Sequence, residues 1–187
     1  MARAFRDEPN FAYILPNQDG RERALAWFFG SFVAQLGLCY GKVYIISGGA
    51  GGAVWIRPGV SLSLWKVFKA GLFAMPFHFG IGGTRRSISL SAYLQQVRQE
   101  IAPPFHWYLF ALGIDPAEQG QGLGRVLLKP VLARADADGV PCYLETFQEQ
   151  TTSFYRQFGF KVIRTDVVPR GGPPFWCMMR ESHTLSK

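Results

Sequence analysis

An apolar run at 107–113 is followed by the segment Gln119-Gly120-Gln121-Gly122-Leu123-Gly124-Arg125, after which a helical pattern begins. Alternate glycines at a strand-to-helix junction let the backbone approach a ligand closely. The first helical N–H groups and the helix dipole then favour an anion at that point. The spacing suits a diphosphate cradle, and it suits equally a glycine turn needed only for the fold. Two other phosphate sites are excluded by spelling. The phosphate loop of nucleotide hydrolases ends in Gly-Lys-Ser/Thr, whereas this segment continues Gly-Arg-Val. The dinucleotide fingerprint has a GxGxxG spacing near the first strand, and the spacing here differs. Cys39, Cys142 and Cys177 are too few and too scattered for a CxxC metal site or a disulfide framework. No metal is expected, and a reducing cytoplasmic setting is the natural reading.

The elements that must position this junction are legible from pattern. The chain has 187 residues, 48% hydrophobic and 18% charged, which suits one globular domain and excludes a disordered one. In its second half, 107–113 reads as a strand and 121–137 as a helix with Pro130 expected to bend it. The strand 142–146, a short helix at 151–158, and the strands 161–168 and 175–180 follow. Strand, helix and strand in so short a span form a crossover unit, so the first two strands should be parallel. In the first half, 1–8 reads as a short helix and 11–15 as an irregular apolar stretch. Asn17 or Asp19 can cap a long helix that Gly41 ends. The strands 42–47 and 53–57 form a hairpin, and 61–73 and 87–101 read as helices separated by the Pro/Gly-rich piece 76–83.

Charge is unevenly distributed. The net charge is +7, and no carboxylate occurs between Glu22 and Glu100. The basic excess reads as a solvated face, because Arg85-Arg86 is the longest cluster and too short for nucleic-acid recognition. The uncharged segment 24–41 approaches the lower limit of a membrane span. However, Leu25, Phe28, Phe29, Phe32 and Leu36 recur at helical spacing, which suits a buried amphipathic helix better. Neither nucleic acid nor membrane is therefore expected as a partner.

Gln119-x-x-Gly122-x-Gly124 fits the Q/R-x-x-G-x-G/A signature of the GNAT acetyltransferases. The resemblance continues through Cys142-Tyr143-Leu144-Glu145-Thr146, Phe154-Tyr155-x-x-x-Gly159-Phe160 and the Gly-Gly-Pro turn before the last strand. His-Trp-Tyr-Leu at 106–109 and that closing turn resemble the bacterial subgroup with puromycin-type antibiotic acetyltransferases. The implied fold is α/β (α+β): a mixed sheet flanked by helices, with a parallel β-α-β unit and splayed central strands. One domain would span 1–187, with an acceptor-side half at 1–105 and an acetyl-CoA half at 106–187. Such proteins usually begin with a strand before the first helix; here that strand is expected to be missing, truncated or replaced by a partner.

The resemblance implies an N-acetyltransferase that moves acetyl directly from acetyl-CoA to a primary amine. A CoA-binding module without catalysis, or a peptide N-acetyltransferase, are the alternatives. Leu112, Gly113 and Ile114 would hold the pantetheine arm, and Gln119, Gly120, Gln121, Gly122, Leu123, Gly124 and Arg125 the diphosphate. The N–H of Leu112 or a neighbour would stabilise the developing oxyanion. Thr151 stands where many relatives place a cofactor-contacting asparagine. Tyr155 would protonate the departing thiolate, or else is a core aromatic. Glu145 is the best carboxylate base, or else bonds the helix that follows it. His106 can act through water or be structural. The acceptor is a small amine, and a homodimer is possible. The cysteines lie on buried strands beside no base, so acyl transfer should not pass through them. Replacing Cys142 and Cys177 by serine should leave turnover per folded molecule unchanged, with no burst of acylated protein in the parent.

Overall fold

A computed structural model describes residues 1–62 and 64–182. Two short helices come first, α1 (Ala2–Phe5) and α2 (Pro9–Ile14). A long helix, α3, runs Arg21–Trp27, passes through a π-turn at Phe28–Val33 and continues as Ala34–Tyr40. Strands β1 (Gly41–Ile45) and β2 (Gly51–Ile56) form the hairpin. Helices α4 (Leu64–Lys69) and α5 (Met75–Ile101) intervene before β3 (Trp107–Ile114). The remainder is α6 (Leu123–Asp138), β4 (Cys142–Thr146), α7 (Glu149–Arg156), β5 (Lys161–Val167) and β6 (Pro174–Arg180). The six strands lie in the order β1-β2-β3-β4-β6-β5, and only β3 and β4 are parallel.

Each face of the sheet carries its own core. On one face α1, α2, α3 and α5 cover Val54, Ala111, Tyr143, Phe175 and Cys177. On the other α6 and α7 cover Trp55, Trp107, Leu109, Leu144 and Met178. Alternation along β4 is regular: Cys142 and Leu144 face α6, and Tyr143 faces α5. Along β3 it is interrupted. Trp55 pairs with Leu109 and Val54 with Ala111, so Phe110 is an extra residue, a β-bulge. Tyr108, Phe110 and Ala111 consequently belong to the α3 side, and Leu112 and Ile114 to the α6 side. A bulge bends its strand and raises the local twist, and β3 parts from β4 at this position.

Several first-half expectations are corrected. The apolar stretch at 11–15 is helical, because Pro9 is pre-set for a first helical turn and Glu8 is extended before it. Its end is capped from elsewhere: the Arg86 guanidinium donates twice to the Ile14 carbonyl, at 3.0 and 2.8 Å. The Arg21 guanidinium donates to the carbonyls of Leu15, Pro16 and Arg6. Neither Asn17 nor Asp19 caps α3, which starts after Gly20 at φ 79°. The span 76–83 is helical apart from a break at Gly80, whose carbonyl accepts from the Thr84 hydroxyl at 2.8 Å. Pro130 sits inside α6 without ending it, on the exposed side where water can meet the freed carbonyl. The basic residues are not simply a solvated face, since Arg86 and Arg98 point inward.

Arg98 straps α5 to the sheet. Its guanidinium lies 3.2 Å from the Glu145 carboxylate and its Cζ 4.0 Å from the Tyr108 ring centroid. The Glu145 side chain is only 4% exposed. Removing one partner of a buried ion pair costs roughly 3–5 kcal/mol, whereas replacing both is far cheaper. Arg98→Ala should therefore lose about that much in urea unfolding at pH 7, and Arg98→Met with Glu145→Gln should recover most of it.

Candidate active site

Pairing between β3 and β4 covers only Trp107 with Cys142, Tyr108 with Tyr143 and Leu109 with Leu144. Beyond Leu109, β3 has no strand on its β4 side. Backbone groups there keep unpaired hydrogen-bonding capacity, the condition under which an extended ligand adds itself as a strand. A cavity of about 530 Å³ occupies this divergence. Its walls include Phe110–Leu112 from β3, Leu144–Thr146 from β4, Thr151 and Tyr155 from α7, and Arg98 from α5. It continues under α2 and the π-turn of α3, where Glu8, Asn10, Phe11, Phe28 and Phe32 line it.

The glycine turn lies beside the open end of β3. Gly120 and Gly122 have φ of +80° and +75°, conformations that side chains rarely adopt, with nothing within 4 Å of the missing Cβ. Gly124 is in helix α6, where a Cβ would stand 2.9 Å from the Phe154 ring. The Gln119 amide donates to the Ile114 carbonyl at 3.2 Å and the Gln121 amide to Glu118 at 2.9 Å. Both side chains brace the turn. No side chain caps α6; the Arg125 N–H donates to the Gly122 carbonyl at 3.0 Å, and the N–H groups of Leu123 and Gly124 before it keep their donor capacity. A diphosphate fits here through backbone N–H groups, with Arg125 exposed on the next turn and its Cζ 5.2 Å from the Phe158 ring. Leu112, Gly113 and Ile114 lie on the diverging part of β3. A Cβ on Gly113 would come 2.6 Å from the Phe5 ring, so α1 seats directly on that strand.

The other expected residues meet at the cavity from different elements. Tyr155 packs edge-on against Phe154 and Phe160. Burial pushes its phenol well above the usual range, and the charge of Glu8 pushes it further. The phenol therefore stays protonated at neutral pH. The Thr151 hydroxyl donates to the Gln148 carbonyl at 2.8 Å and pairs with the Thr146 hydroxyl. It is thus tied to the β4–α7 connection. Glu145 lines the cavity but is held by Arg98. Burial raises its pKa, while Arg98 and the Tyr108 phenol pull it back. His106 Nδ1 contacts the Pro103 carbonyl, and His78 stacks on Trp27 at 4.2 Å. Neither lines the cavity.

Sequence reasoning passes over Glu8. It lies near the start of the chain and does not fall on a predicted catalytic element. The structure brings it into the cavity close enough to perturb Tyr155. Burial pushes its carboxyl from 4.5 up to about 7, against a hydrogen bond with Gln148 that lowers it. The signal available in the sequence was Glu8-Pro9, an acid fixed at the start of an apolar helix.

Residues 88–160 match the model of the Acetyltransferase (GNAT) family. The chain is 25% identical to an uncharacterized N-acetyltransferase of Schizosaccharomyces pombe, covering 98% of this chain and 78% of that protein. It is 34% identical to the N-alpha-acetyltransferase RimI of Mycobacterium tuberculosis over 43% of this chain and 51% of the relative. Among solved structures it superposes on a histone acetyltransferase HPA2 and related acetyltransferase of Corynebacterium glutamicum. That match has a TM-score of 0.68 and 21% identity, over 100% of this chain and 89% of the other. A Drosophila melanogaster polyamine N-acetyltransferase that forms N-acetylagmatine shares the fold, with a TM-score of 0.59, 16% identity, and 96% and 90% coverage. With its parallel β3–β4 pair in a mixed six-stranded sheet, the chain has the GNAT fold, and its residues 88–160 carry the match to the GNAT acetyltransferase family. It is an N-acetyltransferase, and the donor used by that family is acetyl-CoA.

Among the described residues no group of His, Cys, Asp and Glu is placed to hold a metal ion, and no helix is long and apolar enough to cross a membrane. The cradle makes the donor site testable. Gly122→Val introduces a branched side chain at φ +75° beside the α6 N-terminus. The variant should still fold, with its thermal transition lowered by the strain of a side chain at positive φ, and should lose the rise in Tm that CoA gives the parent.

Proposed function

We propose that this protein acetylates a small primary amine, with the cavity between β3 and β4 holding the acetyl thioester and the acceptor together. The observation that supports this reading most is the position of Tyr155, a protonated phenol lining the gap where two parallel strands part. The arm of acetyl-CoA would lie along Leu112, Gly113 and Ile114. The turn from Gln119 to Arg125 would hold its diphosphate, and Thr151 would border it. Acetyl-CoA supplies an activated acetyl thioester. The protein's part is to orient it, to present a main-chain N–H near Leu112 to the developing oxyanion, and to protonate the sulfur from Tyr155. Glu145, expected as base, is better suited to fixing the floor of the site through Arg98.

The chain would act as one domain, 1–187, with residues 1–105 forming the acceptor side and 106–187 the acetyl-CoA side. Enclosure of the acceptor side by α2, α3 and α5 favours a small molecule over a folded protein. The likeness to puromycin-type antibiotic acetyltransferases rests on residues 106–109 and the Gly171–Pro173 turn, and it points the same way. The polyamine substrate of the Drosophila protein also lies within the class of small amines.

The test is thiol release from acetyl-CoA with a panel of small amines and peptides. Small amines should be turned over, and peptides much less. Binding of CoA without turnover of any amine would identify a binding module instead. Tyr155→Phe keeps the ring contacts with Phe154 and Phe160 and removes only the hydroxyl. Turnover should fall roughly 10- to 100-fold, the low end for loss of a positioned acid, because a thiolate leaves readily. Affinity for acetyl-CoA should stay nearly unchanged. Parental turnover in this variant would make Tyr155 a core aromatic.

A further inference from the structure

We infer that the segment 64–85 is a docking surface for a bilayer rich in anionic phospholipid, on which the protein rests without crossing it. Docking there is independent of which amine the cavity acetylates. Helix α4 and the first turns of α5 are unlike ordinary surface helices, which turn an apolar face inward and a polar face to water. Here both faces carry large apolar side chains. The inner one, with Val67, Leu72, Met75 and Phe79, packs into the core on the α3 side. The outer one presents Trp65, Phe68, Phe73, Phe77 and Ile81, from 46% exposed at Phe68 to 88% at Phe77.

Isolated exposed apolar side chains are ordinary, but a contiguous group of large ones marks a surface that meets something other than water. Contiguity is direct at one end. Trp65 stacks on Phe68 with ring centroids 6.0 Å apart, and Phe68 meets Phe73 at 5.8 Å. Phe77 and Ile81 follow at four-residue spacing, with the break at Gly80 between them.

Charge decides what this strip meets. Lys66 and Lys69 lie within it, and Arg85 follows Ile81 at the same spacing and is exposed. The Lys69 ammonium lies over the Trp65 ring at 5.2 Å. That of Lys66 donates to the Ser61 carbonyl at 2.9 Å and lies 5.2 Å from the Tyr40 ring. Among the described residues none of these three cations pairs with a carboxylate. The strip itself contains no acid. Asp19 lines a hollow with His78 and Gly82, at the Ile81 end and not at the end that carries the lysines.

A second copy of the chain would bring like charges together across the contact, which is unfavourable. A partner protein would have to supply pockets for rings that stand out from the surface. A bilayer needs no such match. Ring tips enter the boundary between headgroups and acyl chains, while lysine stems lie along the apolar surface and keep their ammonium groups at the phosphates. Exposed aromatics interleaved with lysine and free of acid therefore suit an anionic lipid surface. Leu62, Val67, Leu72 and Met75 line the cavity from the inner side of the same region. One wall of the cavity thus lies directly beneath the docking surface.

The experiment is co-sedimentation of the full chain with extruded vesicles at low and at high salt. One set is pure phosphatidylcholine, the other equal parts phosphatidylcholine and phosphatidylglycerol. The parent should partition at least ~10-fold more strongly into the anionic vesicles, and high salt should remove most of that difference. Lys66→Gln with Lys69→Gln should weaken anionic binding by about 10- to 30-fold, the effect of two basic charges at such a surface. Phe77→Ser with Ile81→Ser should weaken it by at least ~10-fold through lost apolar burial. Both of these side chains stand mostly in solvent. That variant should therefore keep the parent's Tm and its rise in Tm with CoA, which separates loss of docking from loss of fold. Failure of the parent to sediment with anionic vesicles would overturn the inference. So would binding that survives Phe77→Ser with Ile81→Ser, since it would then be diffuse attraction of the +7 net charge. Sedimentation velocity without vesicles reads the other occupant: a parent dimer that this variant dissociates, with no vesicle binding, would assign the surface to a second copy of the chain.

Discussion

The parting of β3 from β4 after three residue pairs is the constraint on which the site depends. A parallel pair that continued would satisfy its own backbone and leave no room between the strands. The bulge at Phe110 prevents this by reversing the alternation of β3, so that Leu112 and Ile114 turn toward α6 while Ala111 stays with α3. Unpaired main chain, the glycine turn and Tyr155 then border one gap. The fold tolerates the interruption because β2 continues to pair with β3 along its whole length, from Ile56 with Tyr108 to Gly51 with Ile114.

Carboxylates on opposite walls of the cavity have different environments. Glu145 exchanges water for Arg98 and the Tyr108 phenol, which is structural accounting: α5 is fastened to the sheet at the point where the sheet begins to open. Glu8 exchanges water for Gln148 and little else. Its backbone position is maintained at a distance, by Arg86 and Arg21 capping the carbonyls at the far end of α2. Two arginines of the acid-free stretch, Arg86 and Arg98, are thus consumed inside the protein, as is Arg21 just before it. The absence of carboxylates there has a physical counterpart, since these guanidiniums bind main-chain carbonyls or a carboxylate from the second half.

The second half was legible because its signals are local. Cys142–Thr146 is the strand read from its apolar run, and α6 begins within two residues of the expected start because Gly122 must adopt positive φ before it. The crossover rule made β3 and β4 parallel without any tertiary information. The first half was less legible. Helix α2 depends on Arg86, far away in sequence, for its C-terminal cap, and a Pro/Gly-rich piece became part of α5 because only Gly80 leaves helical geometry.

By itself, then, the sequence determined the strand–turn–helix junction, the parallel unit, the family resemblance and the candidates Tyr155 and Glu145. The junction and the parallel unit follow from periodicity, from glycine and from spacing within a few dozen residues, whereas Tyr155 is a candidate through the family resemblance. Only the tertiary structure decided which carboxylate is engaged and which is open. That distinction depends on Arg98 reaching Glu145 across 47 positions and on α2 bringing Glu8 to Tyr155. Both are matters of distance and burial between segments remote in the chain, and local residue preferences carry no information about them.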